Sequence, residues 1–350
     1  MSSAGSRLEA LPGAPTPSAT MALRWAFERR MGRTMPELPE VETLRRDAEC
    51  HLVGRRIQAV RLLAPDVVRL PAPELFCAGL DRTMFVGARR RAKYLLLDLD
   101  SGRVLALQLA LFGQLLLCEP ATEVDGQVGP PDTGGSPAAL DPDTLLTLRL
   151  ADGAALDVLD RSRYTRLYLG SPSELAAALQ LDELGPEPLD SAFTVDALGA
   201  ILRGRRARLK RLLLDQHELA GLGNIYVDEA LWRAGLHPGR TAGTLAPSEM
   251  AALHAAIRDV LTEGIANRGT TFHTYRDLLG AKGRHQDHLA VFHRQGAPCP
   301  RCGTPIRRIT LASRDTHVCP TCQVLEAPAS EDQVIETARR SSGRPARRRR

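Results

Sequence analysis

Apolar spacing divides the chain into regimes. Val41, Leu44 and Ala48 recur at helical spacing behind Pro39, Glu40 and Glu42. That pattern predicts a helix whose first turn holds the negative charge favoured at helix N-termini. Pro39 suits an early helical position, where no N–H is lost. From Arg55 the pattern changes to short apolar runs at 57–63, 83–88, 94–99 and 104–117, parted by Gly, Asp and Pro. These read as strands. Residues 145–150 and 155–159 flank Asp152-Gly153 as the arms of a hairpin. The strands predict a β-sandwich or barrel-like domain packed beside the first helix. Residues 121–139 are rich in Gly and Pro and read as a long loop.

Gly185-Pro186-Glu187-Pro188 marks a boundary, and beyond it the spacing is helical at 195–202, 207–214, 225–234 and 247–267. Val227, Leu231 and Ala234 form an apolar stripe on the third of these. Gly221-Leu222-Gly223-Asn224 opens it, and two readings stand side by side. One is a phosphate cradle at a helix N-terminus. The other is a capped helix after a tight turn.

A chain of 350 residues has room for two domains and a small module. Its 43% hydrophobic content supports buried cores. No apolar run reaches the roughly 20 residues of a membrane helix, so no membrane partner is expected. The net charge of +5 sits in the two ends, with five Arg against two Glu over 1–34 and seven Arg against four acids over 323–350. Between them the balance is slightly negative, so local clusters must carry any case for nucleic acid. The clusters are 89–93, the loop 160–166 with its single aromatic, and the dense run 203–211. The ordinary reading of such clusters is a solvated face, and the sharper one is a phosphate track.

Two Cys-x2-Cys pairs, Cys299/Cys302 and Cys319/Cys322, stand 16 residues apart. That is the spacing of a closed, structural four-thiolate zinc site. Arg307, Arg308 and Arg314 lie on the loop it would hold. Cys50, Cys77 and Cys118 read as buried apolar fillers in a reducing cytosol.

Met35-Pro36-Glu37 carries the candidate chemistry. A chain starting at Met35 and trimmed of it would begin with Pro36, a secondary amine. Such α-amino groups titrate at about 8, so the nitrogen would be a usable nucleophile beside the Glu37 carboxyl. In the full sequence Pro36 is internal and its nitrogen is an amide. Residues 1–34 lack the apolar run of a secretory signal and read as a disordered extension or a mis-assigned start.

In this order the motifs resemble the bacterial formamidopyrimidine-DNA glycosylase and endonuclease VIII family. The carriers are Met-Pro-Glu-Leu-Pro-Glu-Val-Glu-Thr at 35–43, Ala-Lys-Tyr-Leu-Leu-Leu at 92–97, and Leu-Gly-Pro-Glu-Pro-Leu at 184–189. Gly-Leu-Gly-Asn-Ile-Tyr at 221–226 and the cysteine pairs, with Arg314 five residues before Cys319, complete them. The resemblance implies an α+β fold: an N-terminal β-sandwich with a catalytic helix, a helix-two-turns-helix domain, and a C-terminal zinc-finger hairpin. The corresponding boundaries are 35–183, 184–280 and 281–322, with a lesion-capping loop at 279–294 leading into the last. A basic disordered tail follows at 323–350. It also implies a monomeric, cytoplasmic repair enzyme, associated with the nucleoid through damaged double-stranded DNA and holding one structural zinc.

By the same resemblance Pro36 is the nucleophile, Glu37 the acid that opens the sugar, and Lys93 the sugar-phosphate lysine. Arg314 grips the lesion phosphate. Arg205, Lys210 and Asn224 match DNA-backbone contacts. The departures fall on recognition. Leu111 stands where the family has its wedge methionine, and Ser162 where an arginine faces the orphaned base. Arg163 is kept and Tyr164 replaces a phenylalanine. The expected substrates are oxidised purines such as 8-oxoguanine and formamidopyrimidines, released with strand cleavage by β,δ-elimination. An oxidised-pyrimidine glycosylase of the endonuclease VIII type and a non-catalytic damage-binding paralogue are the alternatives.

Overall fold

Helix α1 (Leu38–His51) begins where Pro39 and Glu40 place a helix start, and it serves two cores at once. Val41, Leu44 and Ala48 pack into the core between the sheets, whereas Leu38 packs into the core of the helical half. The computed structural model describes residues 35–120 and 141–325. The extension before Met35, the loop expected at 121–139 and nearly all of the C-terminal tail lie outside these residues.

The strands follow as β1 (Ile57–Leu62), β2 (Val68–Leu70), helix α2 (Pro73–Leu80), β3 (Phe85–Arg91), β4 (Tyr94–Leu99), β5 (Val104–Gln108) and β6 (Gln114–Cys118). β7 (Thr144–Leu150), β8 (Ala155–Leu159), β9 (Arg166–Gly170) and helix α3 (Pro172–Leu179) complete this half. One sheet has the order β1-β7-β8-β6 and the other β2-β9-β5-β4-β3, antiparallel except for β2 with β9. Of the sandwich and the barrel-like domain expected from the short apolar runs, the sandwich is present, with α1 and α2 closing its core. The apolar run at 104–117 is two strands, because the chain turns at 109–113. Gly113 donates to the Ala110 carbonyl there at 2.9 Å, and a Cβ on it would stand 2.6 Å from Thr165 Oγ1. That turn carries Leu111.

Helices α2 and α3 escape the sequence pattern because each buries only two side chains, Phe76 and Leu80 in one and Leu175 and Leu179 in the other, too few to declare a 3.6-residue period. Two of the three scattered cysteines are not core fillers. Cys50 and Cys118 are exposed and Cys77 is half-buried. Cys50 lies beyond the buried face of α1, which ends at Ala48, and Cys118 ends strand β6.

The helical half contains α4 (Val195–Leu202), α5 (Leu209–Leu213), α6 (Asn224–Arg233) and α7 (Pro247–Ala266). Helix α6 is buried on every side from Asn224 to Leu231. Val227 and Leu231 face the apolar core. Asn224, Asp228 and Trp232, four residues apart, all bond to the C-terminal zinc-finger segment. The Glu229 carboxylate accepts the backbone N–H groups of Ala290, Val291 and Phe292 at 2.8–2.9 Å.

The segment after α7 straps the halves together. Arg268 bridges Asp47 of α1 and Asp277, both at 2.6 Å. Leu278, wholly buried, enters the sandwich core, and its carbonyl accepts Leu117 N–H at 2.8 Å. The stretch expected as a capping loop is thus anchored at its start, and His285 within it stacks on Tyr226 at 5.5 Å. Strands β10 (Arg307–Leu311) and β11 (Arg314–Val318) form the last hairpin. Its two-residue turn, Ala312-Ser313, has both residues at positive φ (51° and 58°), as a twisted two-residue hairpin requires. Among the described residues no helix is long and apolar enough to cross a membrane.

Candidate active site

The N-terminus of α6 meets the start of α1 at Glu37. Leu38 N–H donates to the Gly221 carbonyl at 3.0 Å. Glu37 Oε1 then accepts Ile225 N–H at 3.0 Å and Oε2 accepts Tyr226 N–H at 3.4 Å. A buried carboxylate of the chain itself therefore satisfies the first-turn donors. The phosphate cradle read at 221–224 is thereby corrected, and the capped helix stands. Gly223 is required because a Cβ there would lie 2.2 Å from Glu37 Cδ.

Glu40, one turn on, is as deeply buried as Glu37. Its Oε1 accepts Tyr226 O–H at 2.7 Å and Thr270 N–H at 2.7 Å, and its Oε2 accepts Glu37 N–H at 2.9 Å. Burial, and then the charge of Glu37, push its pKa up to about 7. Burial also raises Glu37, against the pull of Lys93 and the α6 amides. Both carboxyls are biased toward the protonated form, which suits a proton donor. Sequence reasoning missed Glu40 as a site residue, because a first-turn glutamate looks like ordinary helix chemistry until Tyr226 is seen bonding to it.

Pro36 is buried beside the exposed Met35, and the two line an open pocket with Glu40, Leu111, Ile225 and Tyr275. Lys93, in the β3–β4 turn, lies within electrostatic reach of both carboxyls. Burial lowers its pKa, Glu37 and Glu40 oppose that, and Arg314 adds to it. The charge of Arg314 at the zinc-finger hairpin is thus felt at Lys93. Asn224 Nδ2 donates to the Asp315 carbonyl at 2.9 Å, next to Arg314, while its Oδ1 is buried without a hydrogen-bond partner. Four groups singled out in the sequence, Pro36, Glu37, Lys93 and Arg314, converge, and their sequence separations of up to 278 positions are closed by α1, α6 and the last hairpin.

Residues 35–167 match the formamidopyrimidine-DNA glycosylase N-terminal domain, 184–276 its H2TH domain, and 296–324 the zinc finger found in FPG and IleRS. The formamidopyrimidine-DNA glycosylase of Herpetosiphon aurantiacus is 44% identical over 293 residues, covering 83% of this chain and 100% of the relative. The chain belongs to the formamidopyrimidine-DNA glycosylase family. Among solved structures, Lactococcus lactis Fpg bound to DNA containing an abasic site superposes with a TM-score of 0.73 at 32% identity, covering 83% of this chain and all of that one. The Fpg protein of Thermus thermophilus gives 0.71 at 36%, covering 84% and 100%.

As in the family's zinc finger, the Sγ atoms of Cys299, Cys302, Cys319 and Cys322 lie within 4.8 Å of one another. Two of the pairs are 3.9 and 3.4 Å apart. Zn–S bonds of about 2.3 Å in a tetrahedron fit that spacing. The site is closed by four thiolates and structural. Trp232 Nε1 donates to Cys299 Sγ at 3.4 Å, which docks the finger on α6.

The remaining site residues expected from the glycosylase family divide. Leu111 lines the pocket, and its carbonyl accepts Thr274 Oγ1 at 3.1 Å. Arg163 (φ +56°) and Tyr164 lie on the loop at 160–165, which is wound around the buried Asp160 carboxylate and reaches the Leu111 turn through Thr165. Arg205 is on the surface, ion-paired to Glu218 at 2.6 Å. Lys210 is not at the surface. It is wholly buried, donating to Asp228 at 2.6 Å and to the Asp315 carbonyl at 3.1 Å. Its ammonium is spent inside, so a direct phosphate contact by Lys210 is at odds with the structure. It holds β11 against α6 instead.

Lys210→Ala should therefore destabilise the protein by about 3–5 kcal/mol, since it strands the buried Asp228 charge. Chemical denaturation measures that loss. The salt dependence of DNA binding by the folded variant should keep the wild-type slope. Glu40 gives a pH signature. Because its folded pKa is raised, the folded state holds a proton that the unfolded state releases, so Glu40's contribution to stability is fully present below pH 4.5 and is lost as pH rises through about 7. Glu40→Gln should flatten that stretch by up to about 3 kcal/mol in denaturation curves taken across this range.

Proposed function

We propose that this chain excises oxidised purines, 8-oxoguanine and formamidopyrimidines, from double-stranded DNA and then cuts the strand through an imine formed on Pro36. The observation that carries the reading is the buried Glu37 carboxyl, biased toward its protonated form and seated on α6 beside Pro36 and opposite Lys93. The relatives support it: Lactococcus lactis Fpg has been solved with DNA containing Fapy-dG and with DNA containing an abasic site. The reading requires a chain that starts at Met35 and loses it. The match to the family's N-terminal domain begins at that residue.

The freed Pro36 nitrogen forms a bond to C1′ as the bond from C1′ to the base breaks, and the proton that the nitrogen loses leaves with the base. The sugar ring then opens: the nitrogen lone pair forms the C1′ iminium as the C1′–O4′ bond breaks, and O4′ takes a proton from Glu37. The iminium acidifies the C2′ hydrogen, so the 3′-phosphate and then the 5′-phosphate can depart by elimination. Burial drives Lys93 toward its neutral form, fit to move protons on the sugar-phosphate side. Arg314 supplies a fixed positive charge for the flanking phosphate, with Asn224 as a backbone contact beside it. Arg205 adds attraction from the surface.

The target base leaves the stack for the pocket at Pro36, and Leu111, with Tyr164 and Arg163 on the neighbouring loop, fills the gap it vacates. Ser162, bonded to Asp160 at 2.5 Å, is too short to read an orphaned cytosine as an arginine would. Preference for cytosine opposite the lesion is relaxed accordingly. One chain supplies every group, so the enzyme acts as a monomer. A second reading, a silent damage-binding protein, is favoured by the amide bond that Pro36 makes where residues precede it.

Borohydride added to a reaction with duplex containing 8-oxoguanine should trap a covalent adduct that peptide mass spectrometry maps to Pro36. Protein retaining residues before Pro36 should yield none. Tight binding of the lesion duplex by protein starting at Pro36, with no adduct, would support the silent binder.

A further inference from the structure

Lys93 stands in a two-residue turn between β3 and β4, and that turn is strained. Ala92, the residue before it, has φ +50°, the left-handed conformation that a two-residue hairpin turn calls for and that costs an alanine more than a glycine, so contacts that hold it there matter. The surroundings are specific. Ala92 N–H donates to Glu187 Oε1 at 2.6 Å, and the Ala92 carbonyl accepts Arg90 Nη1 at 2.9 Å. Glu187 also binds both arginines that lead into the turn: Arg91 Nη1 at 3.2 Å, and Arg90 Nη2 at 2.8 Å as an ion pair rather than a directed hydrogen bond. Arg91 Nη2 in turn donates to the Leu184 carbonyl at 2.6 Å, and Arg90 Nε to Glu42 of α1 at 3.2 Å.

Glu187 belongs to the linker between the sandwich and the helical half, and that linker is tied to the segment before α6. Gly185 N–H donates to the Gln216 carbonyl, and Ala220 N–H to the Pro186 carbonyl. The Gln216 side chain bonds Gly221 N–H and the Leu222 carbonyl, directly ahead of the amides that seat Glu37. One linker carboxylate therefore references the lysine of one half to the frame that positions the glutamate of the other.

We propose that Glu187 is a positioning residue for Lys93: by holding Ala92 in its left-handed turn it fixes the lysine opposite Glu37. The proposal rests on the reading that Lys93 takes part in strand cleavage, but its geometry does not depend on that reading. The charged groups felt at Lys93 are Glu37 and Glu40, which favour its ammonium, and Arg314, which opposes it. A lysine let loose from the turn would leave them for solvent and titrate as an ordinary lysine.

The experiment compares wild type, Glu187→Gln, Glu187→Asp, Ala92→Gly and the double variant Ala92→Gly/Glu187→Gln. Lys93 reactivity toward acetic anhydride is measured against pH by peptide mass spectrometry, alongside strand cleavage at an abasic site under single turnover. In Glu187→Gln the Lys93 titration midpoint should move up toward that of a free lysine, and cleavage should slow by about ten- to a hundredfold, while DNA affinity changes little. Ala92→Gly favours the turn unaided and should restore both readouts in the double variant, with Glu187→Asp in between. An unchanged Lys93 midpoint in Glu187→Gln, or a double variant no better than the single one, overturns the proposal. Wild type that shows the depressed midpoint but never cleaves refutes the function reading instead, and the labelling result then decides the positioning role alone.

Discussion

The structure depends on one contact, a carboxylate laid on the start of a helix. Glu37 takes the first-turn amides of α6, and the missing Cβ of Gly223 leaves it the space. Helix N-termini attract anions through unpaired N–H groups and the macrodipole. Here that attraction acts inside the chain and holds the Glu37 carboxyl in place, offsetting part of the rise in its pKa that burial causes. Because Glu37 and Leu38 are neighbours, the same contact fixes where α1 enters and lets that helix feed both cores.

From this junction the other placements follow. Asn224, Asp228 and Trp232, the polar face of α6, all bond to the zinc-finger segment. Asp228 takes Lys210, the His317 N–H and, at 3.4 Å, the His317 ring. An isolated buried carboxylate would cost several kcal/mol, so α6 and the finger must dock together. Docking sets Arg314 where its charge reaches Lys93. Zinc then has a mechanical role: it shapes the finger whose hairpin sets the charge of Arg314 within electrostatic reach of Lys93.

Much of this was legible in the sequence. Helices α4, α6 and α7 appear within two residues of their apolar periods, and the four cysteines declare their zinc by spacing alone. Pro36, Glu37, Lys93 and Arg314 stand out through a resemblance carried by short motifs. What could not be read is burial of charge. Lys210 sits in the densest basic run, and only its partner Asp228, 18 positions later, shows that it points inward. Glu40 and Glu187 look like surface glutamates, since neither Tyr226 nor Ala92 N–H is near them in sequence. The glycines at 221 and 223 suggested a phosphate cradle, and no local pattern reveals that the anion is Glu37, 186 positions upstream of Gly223.

The most direct test of the account is Gly223→Ala in protein that starts at Pro36. The added methyl must displace Glu37 from α6. The rate of borohydride-trapped adduct formation on an abasic duplex and the affinity for that duplex are measured together, in a variant shown by circular dichroism to be folded. The account predicts trapping slowed by about a hundredfold or more, with affinity nearly kept. Trapping at the wild-type rate in the folded variant would contradict it.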